Sequence, residues 1–146
     1  MATGTAGNSG LQYHTDQVHY LMKSVTYLTL NGSGAASGTT NATVNIGELP
    51  PHALVVRGGV KVITGFDDTN GDDLDVGVSG SDDDLFHSAM DLNTANTTTT
   101  FDDLASANDY STTARIVTCN FTTVPSGDGT AGEAMVWLEF VVPRDQ

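Results

Sequence analysis

Apolar side chains recur at every second position through much of this chain, which predicts strands separated by turns. Gln12–Asn31 is β-like, with Val25, Tyr27 and Thr29 alternating against Thr26, Leu28 and Leu30. A Gly/Ser/Ala/Thr loop over Asn31–Thr40 leads to a strand at Ala42–Gly47 that buries Val44 and Ile46. Leu49-Pro50-Pro51-His52 punctuates the chain, because proline fixes φ and lacks an N–H. A long strand then covers Ala53–Phe66, with Leu54, Val56, Val60, Val62 and Phe66 inward and Arg57, Lys61 and Ile63 outward. Gly58-Gly59 in its middle predicts a bulge or bend. Asp68-Thr69-Asn70-Gly71 carries the Asn-Gly hairpin signal, and Asp73–Val78 returns with Leu74, Val76 and Val78 inward and Asp75 outward. Ser81 can cap a short helix over Asp82–Asp91, striped by Leu85, Ala89 and Leu92. Further strands are expected near Thr98–Phe101, Ala114–Thr123 and Ala134–Val142.

This pattern predicts an all-β fold: an antiparallel jelly roll or β-sandwich of about eight strands, with one short helix near 82–91. Residues 1–10 (MATGTAGNSG) are small and polar and read as a flexible N-terminal arm, leaving 11–146 as a single β domain. At 146 residues such a domain buries enough surface to need neither disulfide nor metal. The lone Cys119 alternates with Val117 and Phe121, as a small buried hydrophobe does. No apolar run approaches the ~20 residues of a membrane-spanning helix. The N-terminus lacks the basic and apolar regions of a secretory signal, so export by the general secretory route is not expected.

Charge narrows the partners. The formal charge is −13, from 18 acids against five bases, and every base lies outside Val62–Ala114. An anionic surface of this kind repels phosphate backbones and anionic headgroups, so neither nucleic acid nor membrane is an expected partner. It also suits high ionic strength, where self-repulsion is screened, as in a marine or saline source.

The aspartates between Phe66 and Leu92 raise the question of calcium, a hard cation bound by oxygen ligands. Aligning Gly71 with an EF-hand's loop glycine puts Phe66 and Gly77 where its essential acids belong, so no EF-hand is present. A nonstandard calcium site from Asp67, Asp68, Asp72 or Asp73 is the alternative to the structural reading, in which no cofactor is bound. In that reading Asp68 and Asp72 flank a turn, and Asp82, Asp83 and Asp84 offset a helix N-terminus. His87, Ser88 and Asp91 have the wrong spacing for a hydrolytic triad, and no nucleophile elbow exists. In a strand His14 and Asp16 would share a face while His19 would not, and no third metal ligand is near in sequence. No enzymatic activity is expected.

Two apolar surpluses are left over. If Val136, Leu138, Phe140 and Val142 fill the core, Met135, Trp137 and Val141 lie on the opposite face, under a second layer or loop or in a subunit contact. Tyr13, Val18, Tyr20 and Leu21 form a similar surplus after the arm. Tyr13, Val18, Tyr20, Leu21, Met135 and Trp137 are therefore the candidate contacts with a subunit or larger assembly, as aromatic residues and Met are enriched at contact surfaces.

The stretch Gly47–Leu92 resembles small head proteins of tailed bacteriophages, many of them marine. The matching positions are Gly47, Leu49, Pro50, Phe66, Asp67, Leu74, Asp75, Val76, Gly77, Ala89, Asp91 and Leu92. The resemblance implies a jelly-roll or β-sandwich protein that decorates the capsid exterior, commonly as a homotrimer clamping neighbouring major capsid subunits. Such cement proteins have no catalytic residues to carry over, and similar modules occur in tail- and fibre-associated proteins. The alternative from another class is a calcium- or carbohydrate-binding β-sandwich module, with aspartate turns for an ion and Tyr or Trp for sugar stacking.

Overall fold

The computed structural model describes residues 17–32, 41–104 and 110–143. The proposed arm and Tyr13, His14 and Asp16 lie outside them. Among the described residues eight strands form: β1 (Val18–Thr26), β2 (Val44–Leu49), β3 (Leu54–Thr64), β4 (Asp73–Val78), β5 (Asp82–Asp91), β6 (Thr98–Thr100), β7 (Arg115–Phe121) and β8 (Glu133–Val141). A single helical turn, α1 (Tyr27–Leu30), follows β1.

The sheets run β1-β8-β3-β6 and β2-β7-β4-β5, and every pairing is antiparallel. The first strand pairs with the last, the second with the seventh, the third with the sixth and the fourth with the fifth. That nesting is one long hairpin rolled into two layers, which is the topology of a jelly roll. Inward residues of both sheets meet in one core, including Val60 and Val62 of β3, Leu74 and Val76 of β4, Val117, Cys119 and Phe121 of β7, and Val136, Leu138 and Phe140 of β8. Burial pushes the Cys119 thiol up to about 12, so it packs as a hydrophobe.

Six local expectations are corrected. Residues 82–91 form an edge strand, not a helix. Two register shifts against β4 place extra β5 residues beside Leu74–Val76 and Val76–Val78, and Ala89 adopts φ 53°. Phe86 and Met90 are fully buried, whereas of the expected stripe Leu85 is half-buried, Ala89 exposed and only Leu92 buried. Asp82, Asp83 and Asp84 are exposed on this edge, where charge discourages pairing with a foreign strand. Asp75 is buried rather than outward: it accepts hydrogen bonds from the Ala89 amide and the Thr122 hydroxyl, both at 2.8 Å, and so anchors the bulge.

The Asn70-Gly71 turn joins strands of different sheets and makes no hairpin; the hairpin here is β4–β5, turning at Gly80 with φ 77°. The irregularities of β3 fall at Val55/Arg57 and Val62/Thr64, not at Gly58-Gly59. The first shift turns Val55 inward and leaves Val56 52% exposed, reversing the expected parity. Finally, the alternation over Tyr27–Leu30 ends in α1, because Thr26 and Thr29 form a capping box that starts a helical turn.

At Gly77 the backbone of β5 folds across β4. A Cβ there would lie 2.3 Å from the Asp82 carbonyl oxygen and 2.4 Å from the Asp83 carbonyl carbon. Backbone atoms cannot rotate away, so Gly77→Ala should cost about 1–3 kcal/mol by overpacking, read as a lower urea midpoint. An unchanged midpoint would mean that the bulge yields freely.

Candidate interaction face

Direct cross-strand partners share one side of a sheet. On the side of the β1-β8-β3-β6 sheet away from the core, Val18 lies opposite Val141, Tyr20 opposite Glu139, Met22 opposite Trp137 and Ser24 opposite Met135. Tyr20 is 60% exposed, Met22 57% and Val18 48%, while Met135, Trp137 and Val141 are half-buried. Across from Trp137 on its other side stands Gly59, so no side chain rises beside the indole there. The face is largely apolar.

Val18, Tyr20, Met135 and Trp137 thus come together on this face. Leu21 has the opposite parity: it packs against the core, with a methyl 2.8 Å from where a Cβ on Gly47 would stand. Met22 was missed, although its two-residue spacing from Tyr20 was the available signal. His19 also has the inward parity, its ring 5.3 Å from that of Phe140.

The face holds charge in balanced form. Arg57 grips Glu139 in a bidentate pair, Nε–Oε2 2.5 Å and Nη2–Oε1 2.9 Å. The Arg57 hydrogen bonds, joined by one from the Tyr20 hydroxyl, hold the Glu139 carboxyl below its usual range. The Lys61 ammonium donates to the Asn96 carbonyl at 2.5 Å, and Glu133 accepts from the Ser24 hydroxyl at 3.1 Å. The strands of this sheet carry Lys23, Arg57 and Lys61 against Glu133 and Glu139. Those of the other sheet carry Glu48, Asp73, Asp75, Asp82, Asp83, Asp84 and Asp91 against Arg115. The acid excess of the chain is therefore kept off one sheet.

Asp67, Asp68, Asp72 and Asp128 work at one end of the jelly roll, where the β1–β2, β3–β4, β5–β6 and β7–β8 connections meet. Asp68, 2% exposed, accepts from the Tyr27 hydroxyl (2.7 Å), the Ser126 hydroxyl (3.0 Å) and five amides: Asn70 (2.9 Å), Gly71 (2.7 Å), Ser126 (2.9 Å), Gly127 (3.0 Å) and Gly129 (3.2 Å). Burial alone would raise its pKa. The Tyr27 hydroxyl and the surrounding amides outweigh that and hold the carboxyl far below the usual carboxylate range. Asp67 accepts from the Thr130 amide and hydroxyl and the Ala131 amide, and Asp128 from the Thr69 amide and hydroxyl. Asp72 accepts from the Asn93 side chain at 2.9 Å.

This arrangement bears on the calcium alternative. Every donor at Asp67 and Asp68 aims a positive N–H or O–H end at the carboxylate, which is the polarity that repels a cation. Asp68 and Asp67 are fasteners between loops. The carboxylates of Asp82, Asp83 and Asp84 approach within 4.8 Å of one another but are exposed. A hydrogen bond with Asp84 pushes the Asp82 carboxyl up. His87 is buried with Nδ1 2.6 Å from the Asp102 carboxylate, whereas Ser88 and Asp91 are exposed.

In fold, the chain resembles chains of bacteriophage capsid structures. The acid-stable capsid of Helicobacter pylori bacteriophage KHP30 contains one with TM-score 0.62 and 17% identity, over 91% of this chain and 94% of that one. The capsid of Ralstonia phage GP4 gives TM-score 0.61 and 19% identity, over 94% and 91% of the two chains. The capsid asymmetric unit of cyanophage Pam1 gives 0.61 and 16%, over 97% and 100%. No family model matches the chain, and no curated protein does.

Proposed function

We propose that this protein is a structural component of a bacteriophage virion, decorating the exterior of the head as a homotrimer that bridges neighbouring major capsid subunits. Its action is mechanical: burying surface across seams adds binding free energy where internal pressure would part them, and no covalent bond is made or broken. The observation that carries this reading is an apolar, charge-balanced face on an otherwise anionic jelly roll. Its fold likeness to chains of three phage capsid structures gives that face a setting. The acidic remainder of the surface suits an outside location, away from packaged DNA.

The test is reconstitution. Purified protein mixed with heads that lack it should co-sediment with them and raise the temperature at which they release DNA. Heads that bind none of it would end the decoration reading.

A further inference from the structure

We infer that a cavity on the outer side of the β2-β7-β4-β5 sheet, between the β4–β5 turn and β7, binds a divalent cation of the calcium class. This site lies on the sheet that the interaction face does not use, and its occupancy does not depend on whether the protein decorates a head.

The cavity has a volume of about 400 Å³, and Thr43, Ser79, Ser81, Asp82, Asp83 and Thr118 are among the residues that line it. Each of these six side chains carries oxygen, and none is basic. Carboxylate oxygens of Asp82, Asp83 and Asp84 lie within 4.8 Å of one another. Calcium holds its oxygen ligands at about 2.3–2.6 Å, so ligands on opposite sides of one ion stand ~5 Å apart. Carboxylates at that spacing repel one another, and a dication among them replaces the repulsion with attraction.

Exposed acids alone would not single out this place; Thr118 does. Val117 and Cys119 point into the core, so Thr118 between them points to the outer side of the sheet. Its cross-strand partner Gly77 has no side chain, and the backbone of β5 comes down over that gap. The carbonyl oxygens of Asp82 and Asp83 lie 2.3 and 2.6 Å from where a Cβ on Gly77 would stand. Thr118 is therefore only 3% exposed despite its outward direction. Its Oγ1 is buried and has no hydrogen-bond partner among the described residues. A buried hydroxyl in that state costs stability until something meets its lone pairs. A cation held by Asp82 and Asp83 meets them. At Asp68 the surrounding groups are donors that already satisfy the carboxylate, whereas here they include hydroxyl and carbonyl oxygens, which are calcium's own ligands. An ion bound here ties the edge strand β5 to β7 across β4.

Calorimetric titration of the chelator-treated full chain with calcium chloride should show one site per chain, with a Kd of about 10⁻⁴–10⁻³ M, the range of extracellular calcium modules. Calcium at about 10 mM should then raise the melting temperature by roughly 3–8 °C. Magnesium chloride at the same concentration, and sodium chloride at matched ionic strength, should raise it much less, since they act by screening. Thr118→Val keeps the shape of the side chain and removes its oxygen. In chelator this variant should melt at or above the wild-type temperature, while its calcium affinity falls by on the order of 10-fold. Asp82→Asn combined with Asp84→Asn should abolish the calcium shift, and Asp91→Asn, farther along the same strand, should keep it. A calcium response no larger than that of magnesium would overturn the inference. So would loss of the response in Asp91→Asn, wild-type calcium affinity in Thr118→Val, or a lower melting temperature of Thr118→Val in chelator, which would mean that the hydroxyl is already partnered.

Discussion

Replacing Asp68 with alanine should lower the stability of the protein by about 4–5 kcal/mol, a loss reserved for disrupted buried networks. The substitution strips the acceptor from the Tyr27 hydroxyl and from the Gly71 and Gly129 amides, all at buried positions. Each buried donor left without a partner costs about 1–3 kcal/mol, and water entering the space recovers part of that. Asp68→Asn keeps the shape but turns an N–H₂ toward groups that are themselves donors, so it should still cost about 3 kcal/mol. For a domain of this size, the alanine variant should melt lower by on the order of 10 °C. Urea titration of both variants measures the loss directly. A change below ~1 kcal/mol would show that the loop end holds without its central carboxylate.

The same cluster sets the pH range of stability. Asp67, Asp68, Asp128 and Glu139 all have carboxyls held below their ordinary values by hydrogen bonds. A depressed folded-state pKa contributes stability that is complete above the unfolded value near ~4 and is lost as pH falls toward the folded one. Tyr27 has the opposite sign. Burial first, and the Asp68 hydrogen bond second, push its hydroxyl up to about 12. Its contribution is complete below the ordinary tyrosine value near ~10 and is lost as pH rises through 12. Asp73, raised by burial and by the charges of Asp72, Asp91 and Asp75, offsets part of the acid loss, because protonation relieves it. Stability should therefore be flat between about pH 4 and 10 and fall on both sides. In Asp68→Asn the acid limb should be shallower, since the most strongly depressed carboxylate is gone.

How far these features could be read in advance depended on how local their causes are. Leu74, Val76 and Val78, and likewise Val117, Cys119 and Phe121, alternate within one unbroken pairing of β4 with β7, and their burial follows from period two alone. In β5 the same rule failed, because Ala89 takes a positive φ and the bulges around it reset the parity. Nothing in the string DDDLFHSAMD announces that; the Asp75 acceptor that holds Ala89 is 14 residues away. Asp68 could be read as a turn residue from Asn70 and Gly71, its local donors. Its role as a hub could not, since Ser126, Gly127 and Gly129 reach it from 58 or more residues away.

The interaction face divides the same way. Alternation alone marks Met135 and Trp137 as outward once Leu138 and Phe140 are assigned to the core, and sequence alone groups Val18 with Tyr20. The neutralising of Glu139 by Arg57 depends on knowing that β3 and β8 are neighbours, which only the rolled topology supplies. The acid run from Asp67 to Asp91 thus has two structural uses. Its first members fasten loops by accepting hydrogen bonds, and its later members charge an edge strand. Neither use places an aspartate of this run on the apolar face.

Phe121→Ala should cost about 3–5 kcal/mol, the range for a large aromatic removed from a core that cannot collapse. Phe121 is fully buried at the end of β7, edge-on to Phe66 with centroids 5.9 Å apart and tilted against Tyr27 at the same distance. Its backbone is fixed from both sides by Asn41, whose side chain accepts from the Phe121 amide at 3.0 Å and donates to its carbonyl. The void therefore cannot close by moving the strand. Tyr27 lies between this void and Asp68, touching Phe121 with its ring and the carboxylate with its hydroxyl. The two sites share one side chain, so their effects should not add. Once Phe121 is gone, Tyr27 is less well placed, and the further loss from Asp68→Ala should shrink by about 0.5–3 kcal/mol. Melts of the two single variants and the double give this coupling. Strict additivity would separate the core from the loop end and show that Tyr27 does not transmit between them.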